Sequence, residues 1–193
     1  MQHINWQKNY TTQGRFSRSS AWYTERTCSC NYHYGRSTWP NNSFDDWMVE
    51  LCVETKRIFN LKNQPNAINF NLYEDGEQDL TWHEDGEALF KDADGSSTIV
   101  SLSLGSSRLF EFKRSMATKA QYPIMLNHGD FCVMAGMTQL HYQHQVPKQC
   151  FLAQALSSSK RINLTFRYIC QHSQQCAKKT RVREAKGIGK RAN

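Results

Sequence analysis

From residue 67 onward the sequence alternates polar and apolar residues in short runs, each closed within a few residues by a turn signal. Side chains that repeat every second residue cannot be gathered onto one side of a helix, so this part of the chain must pair as strands. The runs cover residues 67–73, 80–82, 98–104, 109–112, 124–126, 131–134, 141–144 and 162–169. Between them stand Glu74-Asp75-Gly76, Asp94-Gly95, Asn127-His128-Gly129-Asp130 and Ser157-Ser158-Ser159, which supply the backbone conformations that turns need. One helix precedes these runs. Ser43 is its candidate N-cap, Asp45 and Asp46 sit where the helix dipole favours acids, and Trp47, Leu51, Glu54 and Ile58 mark one face, ending near Asn60. About eight short strands after one helix predict a mostly β fold with flanking helices, a sandwich or jelly roll.

The chain has 193 residues with 39% hydrophobic and 12% aromatic side chains and only four prolines, enough for one compact core and incompatible with global disorder. No apolar run approaches the roughly 18 residues that span a bilayer, and the N-terminus lacks the apolar segment of a secretory signal. Seven cysteines at irregular spacing would leave one unpaired in any disulfide framework. A soluble, intracellular protein in a reducing compartment is expected, with no membrane contact and as a monomer. Residues 1–20 are polar and without period and read as an N-terminal arm; residues 21–176 form the domain. Residues 177–193 are a basic tail, where Lys178, Lys179, Arg181, Arg183, Lys186, Lys190 and Arg191 face one acid, Glu184. Most of the formal charge of +7 lies there, so the tail is either a solubilising appendage or a nucleic-acid-binding arm.

The sharpest chemical pattern is His83-Glu84-Asp85. Residues two apart on an extended strand face the same side, so His83 and Asp85 present an imidazole and a carboxylate to one point. A third ligand is offered by His141-Tyr142-Gln143-His144; residues three apart face opposite sides, so only one of the two histidines can serve, and His144 is favoured. Two imidazoles and a carboxylate leave open positions for a co-substrate and O₂ together, the ligand set of non-haem Fe(II) oxygenases. Arg161-Ile162-Asn163-Leu164-Thr165-Phe166-Arg167 places Arg161, Asn163, Thr165 and Arg167 on one strand face. Guanidiniums on an inward face need anionic partners, which a dicarboxylic co-substrate supplies.

With these motifs in order, together with Asn71-Leu72-Tyr73, Ser101-Leu102-Ser103-Leu104-Gly105, Arg108, Phe110, His128-Gly129-Asp130 and Gln145-Val146-Pro147-Lys148, the sequence resembles the AlkB family of Fe(II)/2-oxoglutarate dioxygenases, in its nucleic-acid demethylase branch. The resemblance implies a double-stranded β-helix in which His83, Asp85 and His144 hold Fe(II). By the same resemblance Arg161 pairs with the distal carboxylate of 2-oxoglutarate, and Asn71, Tyr73, Asn163 and Arg167 complete the co-substrate site. O₂ is the second co-substrate. The activity implied is hydroxylation of an N-methyl group on bases of the 1-methyladenine and 3-methylcytosine type, in single-stranded or locally opened DNA or RNA, with release of formaldehyde.

Trp22, Tyr23, Tyr32 and Tyr34 lie where such relatives carry a base-contacting lid, or else they are ordinary core and loop aromatics. The resemblance departs at one position: relatives follow the iron-binding aspartate with a base-reading acid, and here Gly86 stands there with Glu87 next. Glu87 joins Trp22, Tyr23 and Tyr34 as a candidate substrate contact, and hydroxylation of another substrate, whether a modified base, a protein side chain or a metabolite, is the alternative activity. Cys28-Ser29-Cys30 with His33, and Cys170-Gln171-His172 with Cys176, offer ligands for a structural zinc, although their spacing is not that of a standard finger and buried free cysteines account for them more simply.

Overall fold

The computed structural model describes residues 4–10, 14, 16–34, 37–119, 122–149 and 160–178. Thirteen strands follow in chain order: β1 Gln7–Tyr10, β2 Phe16–Thr24, β3 Tyr32–Tyr34, β4 Ser37–Trp39, β5 Asn42–Ser43, β6 Ala67–Tyr73, β7 Leu80–His83, β8 Ile99–Gly105, β9 Arg108–Arg114, β10 Tyr122–Leu126, β11 Phe131–Met134, β12 Tyr142–Val146 and β13 Arg161–Arg167. Helix α1 spans Asp46–Phe59 and a short helix α2 spans Thr138–His141. The larger sheet runs β1-β2-β6-β13-β8-β11 with β5 added in parallel to β2, and the smaller runs β10-β9-β12-β7. Both line one cavity, with the β3-β4 hairpin at its edge. This is the expected jelly roll of double-stranded β-helix type.

Alternation decides what each face of the large sheet meets. On β6, β13 and β8 the residues Ile68, Phe70, Leu164, Phe166 and Val100 point to one side and form the main core with Met48 and Cys52 of α1. Asn69, Asn71, Asn163, Thr165, Arg167 and Ser101 point to the other and line the cavity. The register is tight, because β13 pairs β6 from Arg161↔Tyr73 to Arg167↔Ala67 and β8 from Arg161↔Gly105 to Phe166↔Val100. At Gly105 (φ +89) an added Cβ would fall 2.2 Å from the Lys160 carbonyl oxygen, so this close crossing requires glycine.

Three expectations are corrected. Among the described residues of 1–20, read as a loosely attached N-terminal arm, Gln7–Tyr10 and Phe16–Ser20 are instead paired strands of the large sheet; the sequence period is broken there by an irregularity between Asn9 and Tyr10 and by Arg18 facing a polar cavity. Ser43 lies in β5, and the N-cap is Asp45. The buried stripe of α1 is Met48, Cys52 and Thr55, which leaves Glu54 and Ile58 exposed, because the sheet covers the stripe one residue along from Trp47 and Leu51. The end near Asn60 holds: Asn60 takes the left-handed conformation (φ 47) and donates its N–H to the Lys56 carbonyl.

Phe70 is fully buried between the rings of Trp6, Tyr23 and Trp47. Replacing it with alanine removes a ring from a dense core on the face away from the cavity. Phe70→Ala is expected to cost about 3–5 kcal/mol in denaturant unfolding; a loss under about 1 kcal/mol would mean that this core is not what holds the helix to the sheet.

Candidate metal centre and co-substrate cavity

His83 ends β7 and His144 lies on β12, and the two are direct partners in the antiparallel ladder. Their ring centroids stand 4.1 Å apart. Asp85, two residues past His83, turns back so that its Oδ1 lies 4.0 Å from His83 Nε2 and its Oδ2 lies 3.6 Å from His144 Nε2. The ligand atoms of all three are within 4.8 Å of one another, and all three residues are buried. His141, the alternative third ligand, closes α2 and is exposed.

The surroundings prepare these groups to bind a cation. His83 Nδ1 lies 2.8 Å from the Thr81 carbonyl, which can only accept, so Nδ1 holds the proton and Nε2 keeps its lone pair. Burial, with His144 beside it, pushes His83 down to about 3, so the ring is neutral at physiological pH. Burial alone would raise Asp85, but the Arg167 guanidinium at 2.8 Å and the two histidines hold it well below the usual carboxylate range. The Asp85 N–H donates to Gln139 Oε1 at 2.8 Å, and the His144 ring stacks on Phe110. Two imidazoles and one ionised carboxylate on one side of a buried cavity are the donor set that suits Fe(II) and leaves positions open.

Across the cavity, Arg161 is 1% exposed and donates from Nη2 to Ser103 Oγ at 2.8 Å. Its Nε and Nη1 have no hydrogen-bond partner, and burial lowers its pKa. A buried guanidinium with two idle donors fits a carboxylate ligand. Asn71, Tyr73, Asn163, Arg161 and Arg167 all line this cavity. Asn71 Oδ1 accepts from Arg18 Nε and Ser20 Oγ, while Asn163 Nδ2 donates to Ser101 Oγ at 2.6 Å. Within the set, Arg167 is committed to Asp85 and, at 3.4 Å, to Glu87.

The expected substrate contacts divide. Tyr23 is corrected: it lies on the helix side of the large sheet against Phe70, because its neighbour Trp22 takes the cavity side and adjacent strand residues alternate. Trp22 is fully buried, donates Nε1–H to the Cys30 carbonyl and stacks on Tyr32, behind the cavity wall. Tyr32 and Trp39 form that wall. The Tyr34 side chain lies outside the described residues. Glu87 accepts a 2.6 Å hydrogen bond from Tyr32. Gly86 faces an outer groove beside Glu84 and Gln139, which Glu87 also lines, and a Cβ there would meet only ordinary contacts. Sequence reasoning missed Arg18 and Asn69 as cavity residues; the alternation from Arg18 to Tyr23 was the available signal for the first.

A jelly roll that closes over a buried bis-imidazole carboxylate set and an anion-seeking arginine defines the class of non-haem iron oxygenase folds. The chain matches the 2OG-Fe(II) oxygenase superfamily over residues 2–167 and belongs to that family. Iron(II), 2-oxoglutarate and O₂ are therefore its cofactor and co-substrates. It is 32% identical over 162 residues to the alpha-ketoglutarate-dependent dioxygenase alkB homolog 3 of Rattus norvegicus, covering 79% of this chain and 50% of that relative. It is 28% identical over 126 residues to the DNA oxidative demethylase ALKBH2 of Arabidopsis thaliana, covering 54% and 38%. The solved structure of OsALKBH1 shares the fold, with a TM-score of 0.53 at 18% identity over 86% of this chain and 82% of that one. The chain spans about half the length of the alkB homolog 3 relatives it matches. No helix among the described residues is long and apolar enough to cross a membrane.

Because His83 titrates near 3 when folded and near 6.5 when unfolded, the unfolded chain binds the extra proton between those values. Stability of the metal-free protein should therefore fall as pH drops from about 6.5, by up to about 1.4 kcal/mol per pH unit from this group. Denaturant midpoints at pH 7 and pH 5 should differ less in His83→Gln than in wild type; an equal difference would show that His83 is not held neutral.

Proposed function

We propose that this chain is an oxidative demethylase of N-alkylated bases, of the 1-methyladenine and 3-methylcytosine type, in single-stranded or locally opened DNA or RNA. The observation that carries the reading is one cavity in which His83, Asp85 and His144, the idle donors of Arg161, and a wall of stacked aromatic rings converge. The names of the relatives, dioxygenases and a DNA oxidative demethylase, support it.

The chain's own residues divide the work. His83, Asp85 and His144 would hold the iron, and Arg161 would fix one end of 2-oxoglutarate with Tyr73, Asn71 and Asn163 around it. When bound, iron with 2-oxoglutarate and O₂ supplies the oxidant for hydroxylating a C–H bond, the oxo-acid leaving as succinate and CO₂. Arg167 keeps Asp85 ionised and in place. Tyr32 and Trp39 offer ring faces against which an extruded base stacks, at about 1–3 kcal/mol per base. An N-hydroxymethyl product then loses formaldehyde and returns the N–H base. Glu87 lines the same outer groove as Gly86, but its carboxylate is bonded to the wall residue Tyr32 and faces Arg167, so it is the acid that would meet the edge of such a base, a role for which Gly86 has no side chain. The basic tail from Lys179 lies outside the described residues; its cationic groups suit a phosphate backbone.

Incubation with iron(II), ascorbate, 2-oxoglutarate and an oligonucleotide carrying 1-methyladenine or 3-methylcytosine should release formaldehyde and unmodified base, and His144→Ala should release neither. Succinate formation that is stimulated by some other acceptor and not by methylated oligonucleotides would favour the alternative hydroxylase reading.

Arg161→Ala should raise the 2-oxoglutarate KM by at least tenfold, from the few kcal/mol that a buried charge pair loses with one partner. The oligonucleotide KM should change far less. Equal rises in both would assign Arg161 another role.

A further inference from the structure

Outside the cavity, four side chains from two distant segments meet at one point. Cys28 and Cys30 lie between β2 and β3, and His172 and Cys176 follow β13. His172 Nδ1 stands 3.5 Å from Cys28 Sγ, 3.6 Å from Cys30 Sγ and 3.4 Å from Cys176 Sγ. The sulfurs of Cys28 and Cys176 are 3.8 Å apart. A tetrahedral zinc with Zn–S of about 2.3 Å and Zn–N of about 2.05 Å requires S···S edges of about 3.8 Å and S···N edges of about 3.6 Å. These four edges match that tetrahedron within about 0.2 Å.

Neither a disulfide nor ordinary thiol packing produces this arrangement. A disulfide needs sulfurs about 2.05 Å apart, and close packing of apolar thiols gives no reason for an imidazole nitrogen to sit almost equally far from three of them. The backbone is also turned toward the sulfurs: Ser29 N–H donates to Cys176 Sγ, Cys30 N–H to Cys28 Sγ and Ser173 N–H to Cys30 Sγ, at 3.4, 3.5 and 3.4 Å. Donors of this kind stabilise the negative charge of metal-bound thiolates and orient them. The three cysteines are buried. Two residues named with them at the sequence level lie elsewhere: His33 Nδ1 meets Thr38 Oγ1 on the exposed side of the β3-β4 hairpin, and Cys170 Sγ meets Asp92.

We propose that Cys28, Cys30, His172 and Cys176 bind one zinc ion in a closed, structural site. Three thiolates and an imidazole fill a tetrahedron and leave no open position, so the ion is structural rather than catalytic, and thiolates select zinc over the harder iron(II) chemistry of the cavity. The site joins the β2-β3 connection to the chain beyond β13. That junction sets the position of the aromatic wall, because the Cys30 carbonyl accepts the Trp22 indole N–H and Tyr32 lies two residues further on, stacked on Trp22. The proposal is independent of which substrate the cavity takes.

The test is the metal content of the full chain, purified with reductant and dialysed against a chelator that removes iron. About one zinc per chain should remain in the wild type and in His83→Ala, and should be lost in Cys28→Ser and Cys176→Ser. Should the serine variants fail to fold, the His83→Ala chain with all cysteines intact still decides: exchanged with cobalt(II), it should show the visible d–d bands of a tetrahedral site and the near-ultraviolet charge-transfer band of thiolate ligation. A zinc-free protein whose cysteines all titrate as free thiols, a Cys28–Cys176 disulfide in the intact mass, or zinc that follows His83 instead of the cysteines would each overturn the proposal.

Discussion

Strands β6, β13 and β8 are buried on both faces, yet only one face is apolar. Ile68, Phe70, Leu164, Phe166 and Val100 meet the helix side, while the reverse side carries Arg161, Arg167, Asn71, Asn163 and Ser101 into the cavity. A buried polar face is tolerable only if its charges are balanced, because an unpaired buried ion costs several kcal/mol. Arg167 meets Asp85 at 2.8 Å. Arg161 meets a serine hydroxyl and, at 5.4 Å, the ring of Tyr73, with two donors left over. The same constraint that shapes the sheet therefore creates the demand for an anion, and a dicarboxylate that satisfies Arg161 would stabilise the folded domain by mass action as well as serve the reaction.

That division of faces is why so much was legible in the sequence. The strands at 67–73 and 131–134 coincide with β6 and β11, and the alternation of residues 161–167 placed both arginines on the side where they are found. His83 and Asp85 shared a face by spacing alone, and strand parity left room for only one of His141 and His144, although α2 rather than the opposite strand face is what takes His141 away from the cluster. Legibility failed where polar residues are buried for a reason that only the assembled cavity supplies. Arg18 and Ser20 read as part of an N-terminal arm because nothing local reveals that Asn71 will accept from both of them. Tyr23 read as a lid residue because an aromatic-rich stretch does not announce which of two neighbouring rings faces the helix. The cluster of Cys28, Cys30, His172 and Cys176 was likewise out of reach as a set, since sequence distance cannot say that His33 and Cys170 turn away.

The aromatic wall shows how little of the cavity is contributed independently. Trp22 is the anchor: its ring stacks on Tyr32 at 5.0 Å, Tyr32 lies 5.4 Å from Trp39, and the Trp22 indole N–H is held by the Cys30 carbonyl. Only the outer two rings reach the cavity. A hairpin of two three-residue strands has little stability of its own, so the wall depends on what lies behind it. One such support is the meeting of the β2-β3 connection with the chain after β13, where Ser29 N–H reaches Cys176 and Ser173 N–H reaches Cys30.

The wall and the cluster of His83, Asp85 and His144 are also joined by one line of hydrogen bonds and charges. Tyr32 donates to Glu87, Glu87 faces Arg167 at 3.4 Å, and Arg167 holds Asp85 at 2.8 Å. The guanidinium of Arg167 sits over the rings of Phe90 and Tyr32, at 4.8 and 5.4 Å, which confines it to this line. Burial pushes the Glu87 carboxyl up even with Arg167 beside it, so this acid lies closer to neutrality than a surface glutamate, whereas Asp85 is kept ionised. Two carboxylates on one cation are thus unequal partners. Asp85 has first claim on the charge, and Glu87 depends on Tyr32 for the rest of its stabilisation. A base that stacked on Tyr32 and drew its hydroxyl from Glu87 would leave Glu87 more dependent on Arg167, and so loosen the hold on Asp85. In such a chain the effects of changing Tyr32, Glu87 and Arg167 cannot be additive.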